Sequence, residues 1–383
     1  MEFLLDGIMA VTGKELVMYL VGVSLIWLAI KKGYEPALLL PMGFGAILVN
    51  LPFSGVLDQT MAGIGTTAGI IQWLFETTIA ASEALPILLF IGIGAMIDFG
   101  PLLAQPVMFL FGAAAQFGIF FAISLATLLG FDLKDAASIG IIGAADGPTS
   151  ILVSQILRSN FVGAIAVAAY SYMALVPIIQ PFAIRLVTTR EERRIPMKYN
   201  PRNVTRRTKI LFPIIVTFIV GLIAPASVAL VGFLMFGNLV RESGVLDSLL
   251  KTAQEDLTNL ITLLLGLTIS FSMRAEAFVR ADTLLILLIG LAAFVFDTIG
   301  GVVFAKALNL ILVRLGKPRL NPMIGAAGIS AFPMSSRVVQ KMAAAEERGN
   351  IILMHAVGAN VAGQIASVIA GGLVISLVTQ YLG

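Results

Sequence analysis

The chain has 383 residues, 58% of them hydrophobic and 12% charged, with a mean hydropathy of +0.98. Soluble domains carry about 25% charged residues, so this composition excludes a water-soluble fold and indicates an all-α polytopic membrane protein. It contains no cysteine, and His355 is its single histidine, which excludes disulfides and thiolate or multi-histidine zinc clusters. The pI near 9.2 comes mostly from loop Lys and Arg, a pattern set by membrane topology rather than by nucleic acid.

Taken in order, the N-terminal MEFLLDGIMAVTGKE lacks a basic leader and a small-residue cleavage site, so it is not read as a signal peptide. Segments near the ~20 residues needed to cross a ~30 Å hydrocarbon core are predicted at 16–30, 36–51, 84–97 and 106–129. Residues 53–84 hold Asp58, Glu76 and Glu83 but no Lys or Arg, and 64–81, with Trp73, reads as a helix in the interface or against the bundle. A broken element at 135–157 and a span at 162–187 follow. The stretch 188–209 then carries Arg190, Arg193, Arg194, Lys198, Arg202, Arg206, Arg207 and Lys209. After it come predicted spans at 210–224, 226–240, 257–271 and 284–313, a second broken element, and a last span at 351–377.

The two halves resemble each other. Residues 36–60 align without gaps on 225–249 with nine identities, including SGVLD at 54–58 and again at 243–247, and IGAA recurs at 142 and 324. Such self-similarity indicates a duplication: a membrane repeat over 1–188, a basic linker over 189–209, and a second repeat over 210–383. Five crossings per half, an odd number, invert the second repeat relative to the first. A cytoplasmic linker puts Lys31, Lys32, Arg241, Lys251, Arg314, Lys317 and Arg319 inside and both termini outside.

Chemistry concentrates where the apolar segments are interrupted. The first interruption, IGAADGPTS at 142–150, sets the carboxylate of Asp146 among Gly143, Gly147 and Pro148. Its echo, IGAAGISAFPMSSR at 324–337, follows Asn321 and Pro322 and supplies Gly325, Gly328, Ser330, Ser335, Ser336 and Arg337. A helix broken at membrane depth leaves peptide groups without partners, and it persists where it lines a polar cavity or holds an ion. DGP is also an ordinary turn sequence, but long apolar stretches flank this one. Asp146, Thr149 and freed carbonyls form a hard-oxygen set suited to Na+, and a proton can use the same carboxylate. Serines in membrane helices usually serve packing; here they cluster at a break. Arg337 either marks the cytoplasmic end of its element or meets an anionic carboxylate. Tyr170 and Tyr172, within two turns of Pro177, are packing residues or face the break. Asp98 and Asp297 have structural or coupling readings of equal weight, His355 reads as bundle packing, and Lys306 reads as snorkelling.

GAMIDFGPLLAQP, GAADGPTSI, FDTIGGVVFAK and NPMIGAAGISAFPMSSRVVQK, in this order and spacing, resemble the beta subunit of the biotin-dependent sodium-pumping decarboxylases, which act on oxaloacetate, methylmalonyl-CoA, glutaconyl-CoA or malonate. The resemblance covers essentially the whole chain. It implies a multi-pass subunit in a bacterial or archaeal cell membrane that decarboxylates carboxybiotin, consuming a proton, and couples this to Na+ export. It further implies Na+ held by Asp146, Asn321 and Gly325, with Ser330 and Tyr170 at a second cation or proton site. Tyr172 and Arg337 join Asp146 in catalysis, and Arg337, Ser336 and Asn321 face carboxybiotin. The implied partners are a carboxyltransferase and biotin-carrier subunit and a small gamma- or delta-type membrane subunit, in a homo-oligomeric arrangement. No biotinyl-lysine context such as AMKM is present in this chain, so biotin arrives on another. The compact length leans toward the acyl-CoA branch. The rival readings are a stand-alone Na+/H+ antiporter or Na+/carboxylate symporter, and a membrane anchor for a cytoplasmic enzyme.

Overall fold

The computed structural model describes residues 3–33, 35–61, 63, 65–197 and 204–382. The chain is built almost wholly of helices, as its hydropathy requires. A short helix α1 (Phe3–Met9) leads into α2 (Gly13–Trp27) and α3 (Pro36–Val49). The segment expected to be helical over 64–81 is helical over most of its length, from 70 to 80, but not at its start. An antiparallel hairpin, β1 (Asp58–Met61) with β2 (Gly65–Ala68), pairs Asp58 with Ala68, and helix begins only at α4 (Ile70–Phe75). Glycines and β-branched threonines in TMAGIGTTAG favour a turn between extended arms over a helix; Ile64 itself lies outside the described residues.

Helices α5 (Ala84–Met96), α6 (Gly100–Ala104), α7 (Met108–Ala114) and α8 (Phe117–Leu128) follow, so the span predicted at 106–129 is interrupted at Ala115 and Gln116. Then come α9 (Leu133–Gly140), α10 (Gly147–Ile156) and α11 (Val162–Val187), the last bent by 72° between 162–173 and 175–187. The linker holds α12 (Arg190–Arg193). It ends earlier than its charges suggest, because α13 (Arg206–Ile223) already contains Arg206, Arg207 and Lys209 in its first turn, capped by Thr205, whose hydroxyl accepts from the Thr208 N–H at 3.2 Å. Lys198 and Arg202 lie outside the described residues.

The second half runs through α14 (Val228–Ser243), α15 (Asp247–Thr252), α16 (Thr258–Ile269), α17 (Ala275–Phe278), α18 (Ala281–Arg314), α19 (Met323–Ala326), α20 (Met334–Glu346) and α21 (Leu353–Leu382). Among the described residues, five helical runs, 13–32, 108–128 (α7 with α8), 247–273 (α15 with α16), 281–314 and 353–381, are long and apolar enough to cross a membrane, and two bent pairs raise this to seven. Helices α3, α13 and α14 stand at the remaining three predicted spans; they are shorter or open on charge.

The halves interlock. Helix α3 packs on α2 and on α16, and α14 packs on α13 and on α5; likewise α11 lies along α18, and α21 along α7. Small residues permit the closest approaches: Gly94 lies against the Leu234 carbonyl and Gly237 against the Ile91 carbonyl, leaving no room for a Cβ at either. Without a hydrophobic drive between helices in lipid, such contacts and interhelical hydrogen bonds are what hold the bundle. The result is an interior where both broken elements, α9–α10 and α19–α20, meet α11, α18 and α21.

Candidate ion site at the two broken elements

The first broken element is shaped by its own sequence. After α9 a turn of 3-10 helix covers 141–144, Ala145 takes a left-handed conformation (φ 54°), and Asp146 becomes the N-cap of α10. Pro148 suits the first turn, where no amide hydrogen is required. The Asp146 carboxylate accepts from the Thr149 N–H at 3.3 Å and lies at the positive end of the α10 dipole.

The second element meets it directly. The Ser330 N–H donates to the Ala144 carbonyl at 3.1 Å, and the Ser330 hydroxyl to Asp146 Oδ2 at 3.1 Å. From α21, the Ser367 hydroxyl donates to the same oxygen at 2.9 Å and the Gln364 amide at 3.3 Å, while the Ser330 and Ser367 hydroxyls stand 3.0 Å apart. Asn360, one turn before Gln364, ties the Ile329 carbonyl at 2.7 Å. Asp146 is 3% exposed and has no ion-pair partner among the described residues. Every neighbour that donates to it is neutral. A buried carboxylate so placed is costly without a compensating positive charge, which a bound proton or a small cation supplies.

The oxygens at hand are of the hard kind: one carboxylate, the hydroxyls of Thr149, Ser330 and Ser367, and the amide oxygens of Gln364 and Asn360. The Asn360 Oδ1 and the Tyr170 hydroxyl are buried without a partner among the described residues. Such a set suits an alkali cation and lacks the soft or nitrogen ligands of a transition-metal centre.

Of the residues singled out in the sequence, the fold brings Asp146, Ser330 and Tyr170 together, the Tyr170 ring lying on Gly147 so closely that a Cβ there would overlap it. It sends the others elsewhere. Tyr172, two residues on, donates its hydroxyl to the Leu287 carbonyl and touches Gly290 of α18. Gly325 makes a close approach, but to the backbone of Gly301 on α18. Asn321 spends its amide on the linker, donating to the Arg193 and Ile195 carbonyls at 2.9 Å each and accepting from the Met323 N–H at 3.1 Å. Ser336 is buried and donates to the Pro333 carbonyl at 2.8 Å, whereas Arg337 is exposed. Ser335 accepts from the Gln180 amide at 2.6 Å.

Asn360, Gln364 and Ser367 were not among the expected residues. Their spacing of four and three puts them on one face of an otherwise apolar helix, a polar stripe that NVAGQIAS carries openly.

Two further carboxylates differ from Asp146. Asp98 pairs with Lys209 at 3.0 Å near the linker. Asp297, fully buried on α18, accepts from the Gly118 N–H at the start of α8, and its Oδ2 has no partner among the described residues. That contact accounts for the α7–α8 interruption, since a carboxylate from a neighbouring helix satisfies the opened N-terminus. Lys306 reaches the Val187 carbonyl and Glu192, each at 3.0 Å, and His355 is buried with its ring nitrogen 3.2 Å from the Gln105 amide.

The model of the Na+-transporting oxaloacetate decarboxylase beta subunit family matches residues 14–378. The chain belongs to this family. It is 46% identical to the glutaconyl-CoA decarboxylase subunit beta of Acidaminococcus fermentans over 97% of this chain and 96% of that one. Identity is also 46% to the methylmalonyl-CoA decarboxylase subunit beta of Veillonella parvula, over 98% of this chain and 96% of that one. A probable oxaloacetate decarboxylase beta chain of Pasteurella multocida is 43% identical over 98% of each. The family named by the sequence motifs is thus the family found, and the chain is a membrane subunit of the Na+-transporting decarboxylase type. The stand-alone transporter reading is left without support.

Proposed function

We propose that this subunit decarboxylates carboxybiotin presented by a partner chain and exports Na+ through the site around Asp146. The observation that carries the reading is the Asp146 carboxylate, buried where both broken elements join α21 and ringed by neutral oxygen donors only. In a Na+-transporting family, Na+ is the cargo that balances this charge. Asp146, Thr149, Ser330, Gln364 and Ser367 then hold it, the two serine hydroxyls turning their lone pairs toward the ion. Tyr170, with a free hydroxyl on the wall of the site, passes a proton to or from Asp146.

Carboxybiotin, when delivered, supplies the N-bound carboxyl group, whose loss as CO2 leaves an electron pair on the ureido nitrogen to be met by one proton. The chain's part is to hold the carboxylate and provide that proton. Arg337 suits the holding role, because its guanidinium is exposed, has no ion-pair partner among the described residues, and matches a carboxylate bidentately. Na+ and a proton compete for one carboxylate, so binding either alters the affinity for the other, and decarboxylation and ion movement become mutually dependent.

Several finer assignments go with this reading. The halves are inverted repeats, supported by the exchange of partners between α3–α16 and α14–α5 and by SGVLD, whose glycines Gly55 and Gly244 both take left-handed φ values (70° and 63°) after corresponding helices. The linker faces the cytoplasm and the termini the outside. The partners are a carboxyltransferase and biotin-carrier subunit and a small membrane subunit, and the beta subunits themselves associate. The substrate of the whole complex is an acyl-CoA: alignments with oxaloacetate decarboxylase beta chains run over 425–430 positions, against 373–380 for the acyl-CoA relatives, so the oxaloacetate type carries residues that this chain lacks.

The test is the Na+ dependence of decarboxylation by the purified complex. Ser367→Ala removes one oxygen from the ion's ligand set, a contact to a charged group worth about 1.5–3 kcal/mol, and is expected to raise the half-saturating Na+ concentration about tenfold or more with the complex intact. An unchanged Na+ dependence in Ser367→Ala and Ser330→Ala together would remove the cation from this site.

A further inference from the structure

On the linker side of the bundle, a cavity of about 860 Å3 opens between the last turns of α18, the end of α11 and the strap formed by α12. It is built in two parts. One wall is a stripe of α18, Val303, Leu310 and Val313, spaced so that all lie on one helix face, and each is about half exposed or more. The other part is a cationic mouth of Lys306, Arg314 and Arg319. Glu192 is the one carboxylate among the lining residues, and it is spent on Lys306 at 3.0 Å. Arg314 and Arg319 are exposed and have no ion-pair partner among the described residues.

The depth of the cavity follows from α18 itself. Its 34 residues span about 51 Å at 1.5 Å each, well beyond a ~30 Å hydrocarbon core, so its last turn stands at headgroup level while the apolar stripe runs into the acyl region. A ligand that fills both parts is amphipathic and anionic. We propose that this cavity binds an anionic phospholipid, its phosphate on Arg314 and Arg319 and an acyl chain along Val303, Leu310 and Val313.

The site bears on the second broken element. Ile195 lines the cavity, and its carbonyl accepts from Asn321 at 2.9 Å and from Asn350 at 3.3 Å. A lipid seated there buttresses the strap that Asn321 holds, and so steadies the entry to α19.

The test uses the full chain, delipidated and titrated with phosphatidylglycerol or phosphatidylcholine, with bound lipid counted by native mass spectrometry. Phosphatidylglycerol is expected to bind in preference to phosphatidylcholine and to slow amide exchange at 194–197. Arg314→Gln with Arg319→Gln is expected to weaken it about thirtyfold, since each cation near the surface contributes about a factor of five. Ala307→Trp, on the exposed side of the same wall, blocks the groove with no change of charge and gives the same loss. Equal binding of the two lipids, or full binding by both variants, overturns the proposal. So does displacement of the lipid by inorganic phosphate at equal concentration, which marks a soluble-anion site. A change in oligomeric mass without a change in lipid load also overturns it, marking an interface between copies.

Discussion

Tyr170 and Tyr172 sit two residues apart on one helix and do different work, because α11 turns their hydroxyls to different neighbours. The Tyr172 hydroxyl is bonded to the Leu287 carbonyl, whereas that of Tyr170 is buried and free beside Asp146. Tyr172→Phe is therefore expected to lower stability by about 1 kcal/mol, seen as a reduced Tm, with Na+ dependence unchanged. Tyr170→Phe is expected to leave the Tm alone and to shift the pH profile of Na+-dependent decarboxylation. The reverse pattern would exchange their roles. Asp146 was legible in the sequence because a carboxylate amid small residues and a proline, inside an apolar stretch, is too costly to keep there without an ion or a proton to hold. Ser367 and Gln364 were not: a hydroxyl or amide on an apolar helix usually serves packing, and only the meeting of α21 with both breaks gives them a carboxylate to address. The surroundings of Asn321 were not legible for the same reason, since the partners of its amide, the Arg193 and Ile195 carbonyls, lie 128 and 126 residues away along the chain.

At the scale of elements, both breaks were legible and one interruption was not. Glycine and proline announce the first two, but nothing in GAAAQFG forbids a continuous helix at 112–118; it opens there because Asp297 caps α8 from across the bundle. The strap was legible as charge and not as structure. Its α12 is latched to α20 by Arg193 on Glu346 at 2.7 Å, with Arg190 at 3.3 Å. The hydrogen bond from Arg193 holds the Glu346 carboxyl below its usual value. With the folded value lowered, the latch contributes fully above about pH 4.3, the ordinary glutamate value, and is lost as pH falls through the folded value. Limited proteolysis of the linker is expected to quicken on acidification through that range. Glu346→Gln should cut rapidly at neutral pH already and lose the acid response; a variant as resistant as the wild type would show that the latch does not hold the strap.

At the scale of the whole molecule, the proposed duplication supplies a symmetric scaffold, and the proposed site lies in its asymmetry, with Asp146 on one break and Ser330 on the other. The inverted arrangement is open to a simple test because the chain has no cysteine. Asp58→Cys and Asp247→Cys, equivalent exposed positions of the two SGVLD segments, are expected to react with an impermeant thiol reagent from opposite faces of sealed vesicles; reaction from one face contradicts the inversion. The central claim, that one buried carboxylate binds the transported ion, is tested most directly by Na+ uptake and CO2 release measured together in inverted proteoliposomes of the whole complex carrying Asp146→Asn. Removing a buried charge from its partner costs about 2 kcal/mol or more, so both fluxes are expected to fall at least about thirtyfold while assembly persists. Na+ uptake continuing in step with CO2 release in that variant would contradict the assignment and place the ion elsewhere.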